Sequence, residues 1–145
     1  MSGNPEAASA PARTLVLVDA SVWIQFFRAE HSPQAATLDA LLSAGPVAIC
    51  APIRAEVVSG ARTQQRFQQL NALFDALIDL NPPADVWSQV TTNRFALARR
   101  GHQISLVDLL IAVTAAAHRV PLWTLDEDFQ QIAHVLPLMF YRPAS

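Results

Sequence analysis

The sequence predicts an α/β fold in which helices cover both faces of a parallel sheet. Two observations carry that expectation. Short runs of Leu, Val and Ile, bounded by polar residues, alternate along the chain with longer segments of helical periodicity. Such runs suit strands buried on both faces, as in a parallel sheet. The composition agrees: 52% of the 145 residues are hydrophobic and only 15% charged, enough to fill a sizeable core. That balance excludes disorder for the bulk of the chain, and the length fits a single domain.

The elements follow in order. Residues 1–13 are rich in Ala and Pro, with neither the basic start nor the apolar centre of a signal peptide, and read as a flexible tail before a domain at 14–145. Thr14–Val18 is the first strand and stops at Asp19. Ser21–Arg28 and Pro33–Ser43 are helices, and Gly45-Pro46 breaks the chain before a strand at Val47–Cys50. Pro52 opens a helix that ends near Gly60. In Thr63–Ala76, Phe67, Leu70, Leu73, Phe74 and Leu77 recur at helical spacing. A third strand is expected at Leu77–Leu80 and a helix at Ala84–Arg100, closed by Gly101. Ser105–His118 is helical and apolar on nearly every side, so it belongs at the centre. Pro121–Thr124 and Leu138–Tyr141 supply strands four and five, with a short helix between them.

Composition also removes classes of function. All ten basic residues are Arg, so there is no lysine for a phosphate-binding loop, a Schiff base or kinase chemistry. The four glycines lie too far apart for a dinucleotide fingerprint. The single cysteine, Cys50, can form neither an internal disulfide nor a multi-cysteine zinc site, which fits a reducing, cytoplasmic setting. No apolar run approaches the ~18 residues of a membrane span. The four histidines show no close metal-ligand spacing, and surface or helix-end positions are expected for them.

What remains is a set of carboxylates in unusual places. In a parallel sheet, chemistry collects where strands deliver their C-terminal ends. Asp19 closes the first strand, while Asp126 and Asp128 follow the fourth in Leu-Trp-Thr-Leu-Asp-Glu-Asp-Phe. Glu56 falls beside Ile53, Val57 and Gly60 at 100° per residue, so it is expected on the inward face of its helix. Asp108 is the only charge between Gln103 and Ala117. An isolated carboxylate on a buried face is costly unless compensated, and a hard divalent cation compensates through oxygen ligands. Each residue also has an ordinary structural explanation. Asp19 and Asp126 suit helix caps, Ser105-x-x-Asp108 resembles a capping pair, and Glu56 suits an arginine partner. Ser21 is either a helix cap or a hydroxyl that bonds a site carboxylate or phosphate.

With those residues in place, the chain from Leu15 to Tyr141 resembles a PIN domain, and most closely the VapC-type toxins of bacterial toxin–antitoxin pairs. Four pieces carry the resemblance: Leu-Val-Asp-Ala-Ser-Val-Trp-Ile-Gln-Phe-Phe-Arg with Asp19, the segment around Glu56, Ile104–Ala112 with Asp108, and Leu122–Phe129 with Asp126. The family often has Thr where Ala20 stands, a departure that touches only a supporting hydroxyl.

The resemblance implies a five-stranded parallel sheet in a three-layer α/β/α sandwich. It also implies an endoribonuclease that needs Mg²⁺ or Mn²⁺. Asp19, Asp108 and Asp126 are the expected ligands, Glu56 a ligand or the residue that orients water, and Asp128 an auxiliary ligand. Setting aside these five carboxylates moves the formal charge from -2 to +3. Arg54, Arg62, Arg66, Arg94, Arg99, Arg100 and Arg119 are then available to grip RNA phosphates, although each taken singly suits a solvated helix face. The implied partners are RNA, a cognate antitoxin and a second copy of the chain, with no membrane. Val22, Trp23, Ile24, Phe26 and Phe27 exceed what one short helix easily buries, so Trp23 or Phe27 is expected near a protein contact. Two rival functions stay open: a phosphatase-like hydrolase with Asp19 as nucleophile, and a catalytically silent PIN-like binding module.

Overall fold

The computed structural model describes residues 14–29 and 32–143; the N-terminal tail expected at 1–13 and His31 lie outside the described residues. Within them, β1 (Val16–Val18), β2 (Val47–Ile49), β3 (Ile78–Asp79) and β4 (Leu122–Trp123) form one parallel sheet in the order β3-β2-β1-β4. The register pairs Leu17 with Leu122 and Val18 with Trp123 on one side of β1, and Val16 with Val47 on the other. Every residue of β1 and β2 is buried, which is why these strands read as unbroken apolar runs. Ile78 and Asp79 of β3 are exposed at the sheet edge.

The sheet has four strands rather than the expected five. Leu138–Tyr141 contributes only an isolated bridge, Leu122 to Phe140. Leu122 donates to the Met139 carbonyl and accepts from the Tyr141 amide, but β4 is too short to extend the ladder. Pro137 and Pro143 flank the segment and have no amide to donate.

Seven helices complete the described residues: α1 (Ala20–Arg28), α2 (Pro33–Ala44), α3 (Ala51–Ser59), α4 (Gln64–Asp75), α5 (Val86–Arg99), α6 (Leu106–His118) and α7 (Asp128–Ile132). They fall into two packed groups, α1–α4 and α5–α7, joined where α3 meets α6. Local chemistry sets their ends. Ser32, Thr63 and Ser105 hydroxyls accept amides of the first turns of α2, α4 and α6, at 3.0 Å in each case. Gly45 ends α2 at φ +96°, a left-handed conformation that side chains resist.

Trp23 is fully buried, as simple core packing would have it, and its Nε1 donates to the Val18 carbonyl at 3.1 Å. Phe74 meets its ring edge-on at 5.0 Å and Phe27 stacks at 5.9 Å. Cutting a tryptophan so placed to alanine costs about 3–5 kcal/mol. The surplus apolar surface of α1 is instead Ile24, Phe26 and Phe27, all half-buried. Elsewhere Trp87 and Phe95 of α5, with Leu106 and Val107 at the start of α6, stand exposed.

Candidate active site

The loops that leave β1 and β4 lie side by side because those strands pair, and they carry the carboxylates. Asp19 follows β1, caps α1 and is buried. Its amide donates to the Trp123 carbonyl at 2.9 Å, carrying the pairing one residue past the strands. Its Oδ2 accepts from the Ser21 hydroxyl at 2.7 Å, the Thr124 hydroxyl at 2.9 Å and the Ser21 amide at 3.4 Å. Ser21 therefore does bond a carboxylate, and its Oγ also accepts the Leu125 amide at 3.0 Å.

Thr124 is the residue that sequence reasoning missed. While donating to Asp19, it accepts the Asp126 amide at 3.0 Å, which ties the two loops together. The available signal was its place one residue past β4 and two before Asp126. Asp126 Oδ1 in turn accepts the Asp128 amide at 2.9 Å, the local turn that starts α7.

Asp108 arrives from a third direction, in the first turn of α6, where Ser105 caps its amide. One carboxylate oxygen from each of Asp108, Asp126 and Asp128 lies within 4.8 Å of the other two. No other group of three or more such residues comes this close among the described residues, so Asp19 and Glu56 stand outside the tightest set. Burial, then the charges of Asp126 and Asp19, push the Asp108 carboxyl up to about 6, with a smaller push from Asp128; a Ser105 hydrogen bond pulls the other way.

Glu56 differs from expectation. Ile53, Val57 and Val58 form the buried stripe of α3, and Glu56 sits exposed at the border of that stripe. It still belongs to the same electrostatic neighbourhood: partial burial, then Asp19 and Asp126, raise its carboxyl above the ordinary value. Cys50, at the start of α3, is buried and its thiol is pushed up to about 12, so it is inert at neutral pH. No histidine joins the carboxylates among the described residues; His118 ends α6 and its Nε2 lies 2.7 Å from the Asn81 carbonyl. Arg54 pairs with Asp75 at 2.6 Å, and no other ion pair is present among the described residues.

The mouth at the C-terminal end of the sheet thus offers oxygen donors of one charge sign, crowded and unpaired with arginine. That donor set fits a hard divalent cation, which takes carboxylate oxygen and relieves the mutual repulsion.

A family model described as PIN domain matches residues 16–135. The chain belongs to the PIN-domain family. This PIN domain is 33% identical over 128 residues to the VapC ribonuclease Mb1587 of Mycobacterium bovis, covering 86% of this chain and 96% of the relative. It is 36% identical over 94 residues to Ribonuclease VapC6 of Mycobacterium tuberculosis, covering 63% of this chain and 74% of the relative. Among solved structures, VapBC-1 from nontypeable Haemophilus influenzae shares the PIN fold with TM-score 0.71 at 18% identity, over 88% of this chain and 96% of that one. VapBC-5 of Mycobacterium tuberculosis, described as a member of the VapBC family of toxin-antitoxin systems, gives TM-score 0.61 at 24% identity, over 90% and 99% of the two chains. Among the described residues of the PIN domain, no helix is long and apolar enough to cross a membrane.

Proposed function

We propose that the chain is a divalent-cation-dependent endoribonuclease, the toxin of a toxin–antitoxin pair, that hydrolyses RNA phosphodiester bonds at the acidic mouth. The observation that carries this reading is the convergence of Asp108, Asp126 and Asp128 within 4.8 Å, beside the loop that holds Asp19. The names of the 33% and 36% identical relatives supply the substrate class.

Asp19, Asp108 and Asp126 would hold the cation, Mg²⁺ or Mn²⁺, with Asp128 as an auxiliary oxygen. When bound, such a cation would supply the positive charge that polarises the phosphodiester and acidifies the attacking water. The chain's own residues do the rest. Ser21 and Thr124 occupy Oδ2 of Asp19 and fix its carboxylate plane, leaving Oδ1 for the ligand. Glu56, exposed at the rim with a raised carboxyl, orients the attacking water and takes its proton. No covalent intermediate on the protein is required, which separates this chemistry from a phosphatase-like use of Asp19.

The reading includes a cytoplasmic setting, a cognate antitoxin and a homodimer. Exposed Phe95 and Leu106 line one groove between α5 and the start of α6 and supply apolar surface for the second copy. Light scattering that gives a monomer at micromolar concentration removes the dimer and leaves the nuclease reading standing.

The decisive experiment is a cleavage assay on labelled RNA with Mg²⁺, Mn²⁺ or EDTA. Wild type cuts only with a divalent ion, and Asp19→Asn abolishes cutting while retaining the fold, because Asn caps a helix about as well as Asp. Undiminished cleavage by Asp19→Asn overturns the role of Asp19 in the site. A silent binding module predicts no cleavage under any condition.

A further inference from the structure

We propose that the groove between α1, α3 and α4 seats one flank of the RNA strand, with Arg28, Arg62 and Arg66 as positioning residues for its phosphates. This deepens the ribonuclease reading and rests on it. The groove has a volume of about 590 Å³, and among its lining residues Glu56 is the one carboxylate. α1, which lines the groove with Ile24 and Phe27, starts at Asp19, and α3, which brings Glu56 to the groove, packs against both α1 and α6, so the groove lies beside the acidic mouth.

The charge balance argues for a polyanion. A strand approaching four or five carboxylates is repelled, and cations along its path must offset that repulsion. Three guanidiniums line this groove, and none is in an ion pair among the described residues. Arg66 is also held in place: its guanidinium lies 4.6 Å above the Phe27 ring, which itself stacks on buried Trp23. Ile24 and the edge of Phe27 give the groove an apolar wall beside which bases can lie while the arginines follow the backbone.

Two other arginines drop out of the earlier set. Arg54 is engaged with Asp75, and Arg119 stands at the C-terminal end of α6, far from Asp108. An acidic protein segment is the competing occupant; the groove's position beside the reactive centre favours the substrate.

The test measures kcat and KM for a labelled single-stranded RNA between about 50 and 200 mM salt. Arg62→Gln and Arg66→Gln should each raise KM about fivefold with kcat unchanged, and each should reduce the salt slope by about 0.7. Arg62→Lys should keep the wild-type slope, and Arg119→Gln should change neither quantity. Arg62 is exposed, so its variants fold whatever happens to Arg66. Unchanged KM and slope in variants that still cut RNA overturn the groove and leave the ribonuclease intact. If those same variants lose binding of a synthetic acidic helical peptide, the groove is a protein-docking site instead. A wild type that cuts no RNA overturns both readings.

Discussion

The two sides of α3 treat charge in opposite ways. On one side Arg54 reaches α4, where its NH2 nitrogen meets Asp75 at 2.6 Å and donates to both the carbonyl and the side-chain oxygen of Asn71. Two residues on, about 200° around the helix, Glu56 feels the charges of Asp19 and Asp126, and among the described residues it forms no ion pair with an arginine. The chain owns ten arginines and no lysine, so the cations exist. One of them, Arg54, is spent on a structural pair between two helices, and among the described residues none forms an ion pair with a carboxylate of the mouth. A carboxylate that only supports the fold gains from a permanent partner; one that must release and rebind a ligand does not.

The contrast can be broken, and the largest effect belongs to the mouth. Asp126→Ala should lower RNA cleavage about 10²–10³-fold, since it removes both an oxygen donor and the acceptor that shapes the Asp128 turn. Asp128→Ala should cost about tenfold, because only one exposed donor is lost. The reverse order in a cleavage assay would make Asp128 the principal ligand.

A smaller effect sharpens the electrostatics. The Asp108 carboxyl holds its proton up to about pH 6 in the folded chain, against about 3.9 in the unfolded one. The folded state therefore binds the proton more tightly. Its stabilising contribution is full below about pH 4 and is lost as pH rises through about 6. For a half-buried, partly screened group the loss is about 1 kcal/mol. Melts in EDTA should show this step in wild type and a flattened one in Asp108→Asn. Added Mg²⁺ at neutral pH should raise the melting temperature of wild type more than that of the variant.

The smallest effect lies on the other side of α3. Asp75→Asn breaks a solvent-exposed pair and should cost about 0.5 kcal/mol in denaturant titration. Cleavage should not change. A large loss of activity there would mean that the pair holds α3, and with it Glu56, in place.

How far the sequence reveals this depends on where each signal is recorded. The run ending at Asp19, the capped apolar helix with Asp108 and the alternation of strands and helices are local patterns, and their positions in the fold agree with them to within a residue or two. The fifth strand was over-read because Leu138–Tyr141 has strand composition, whereas pairing depends on the length of its neighbour β4. Glu56 was placed inward because a helical projection cannot tell the border of a stripe from its centre. Whether Trp23 or Phe27 is the buried member of the pair stays open in the sequence because Trp23's partner Phe74 lies on another helix, invisible to local spacing. Thr124 was overlooked for the same reason: both groups it joins are named by the tertiary fold.

One consequence of the strand order concerns time rather than space. Asp19 is bonded by Thr124 across 105 positions of sequence, and Ser21 by Leu125 across 104. A chain that leaves the ribosome N-terminus first carries β1, with Asp19 at its end, long before β4 exists to lie beside it. Until Leu122 and Trp123 emerge, that edge of β1 is unpaired and the loop of Asp126 has not been made. Contacts so distant in sequence also form slowly once the whole chain is available. The acidic mouth thus cannot assemble before Leu122 and Trp123 are made, and a product truncated ahead of Leu122 lacks Thr124, Asp126 and Asp128 altogether.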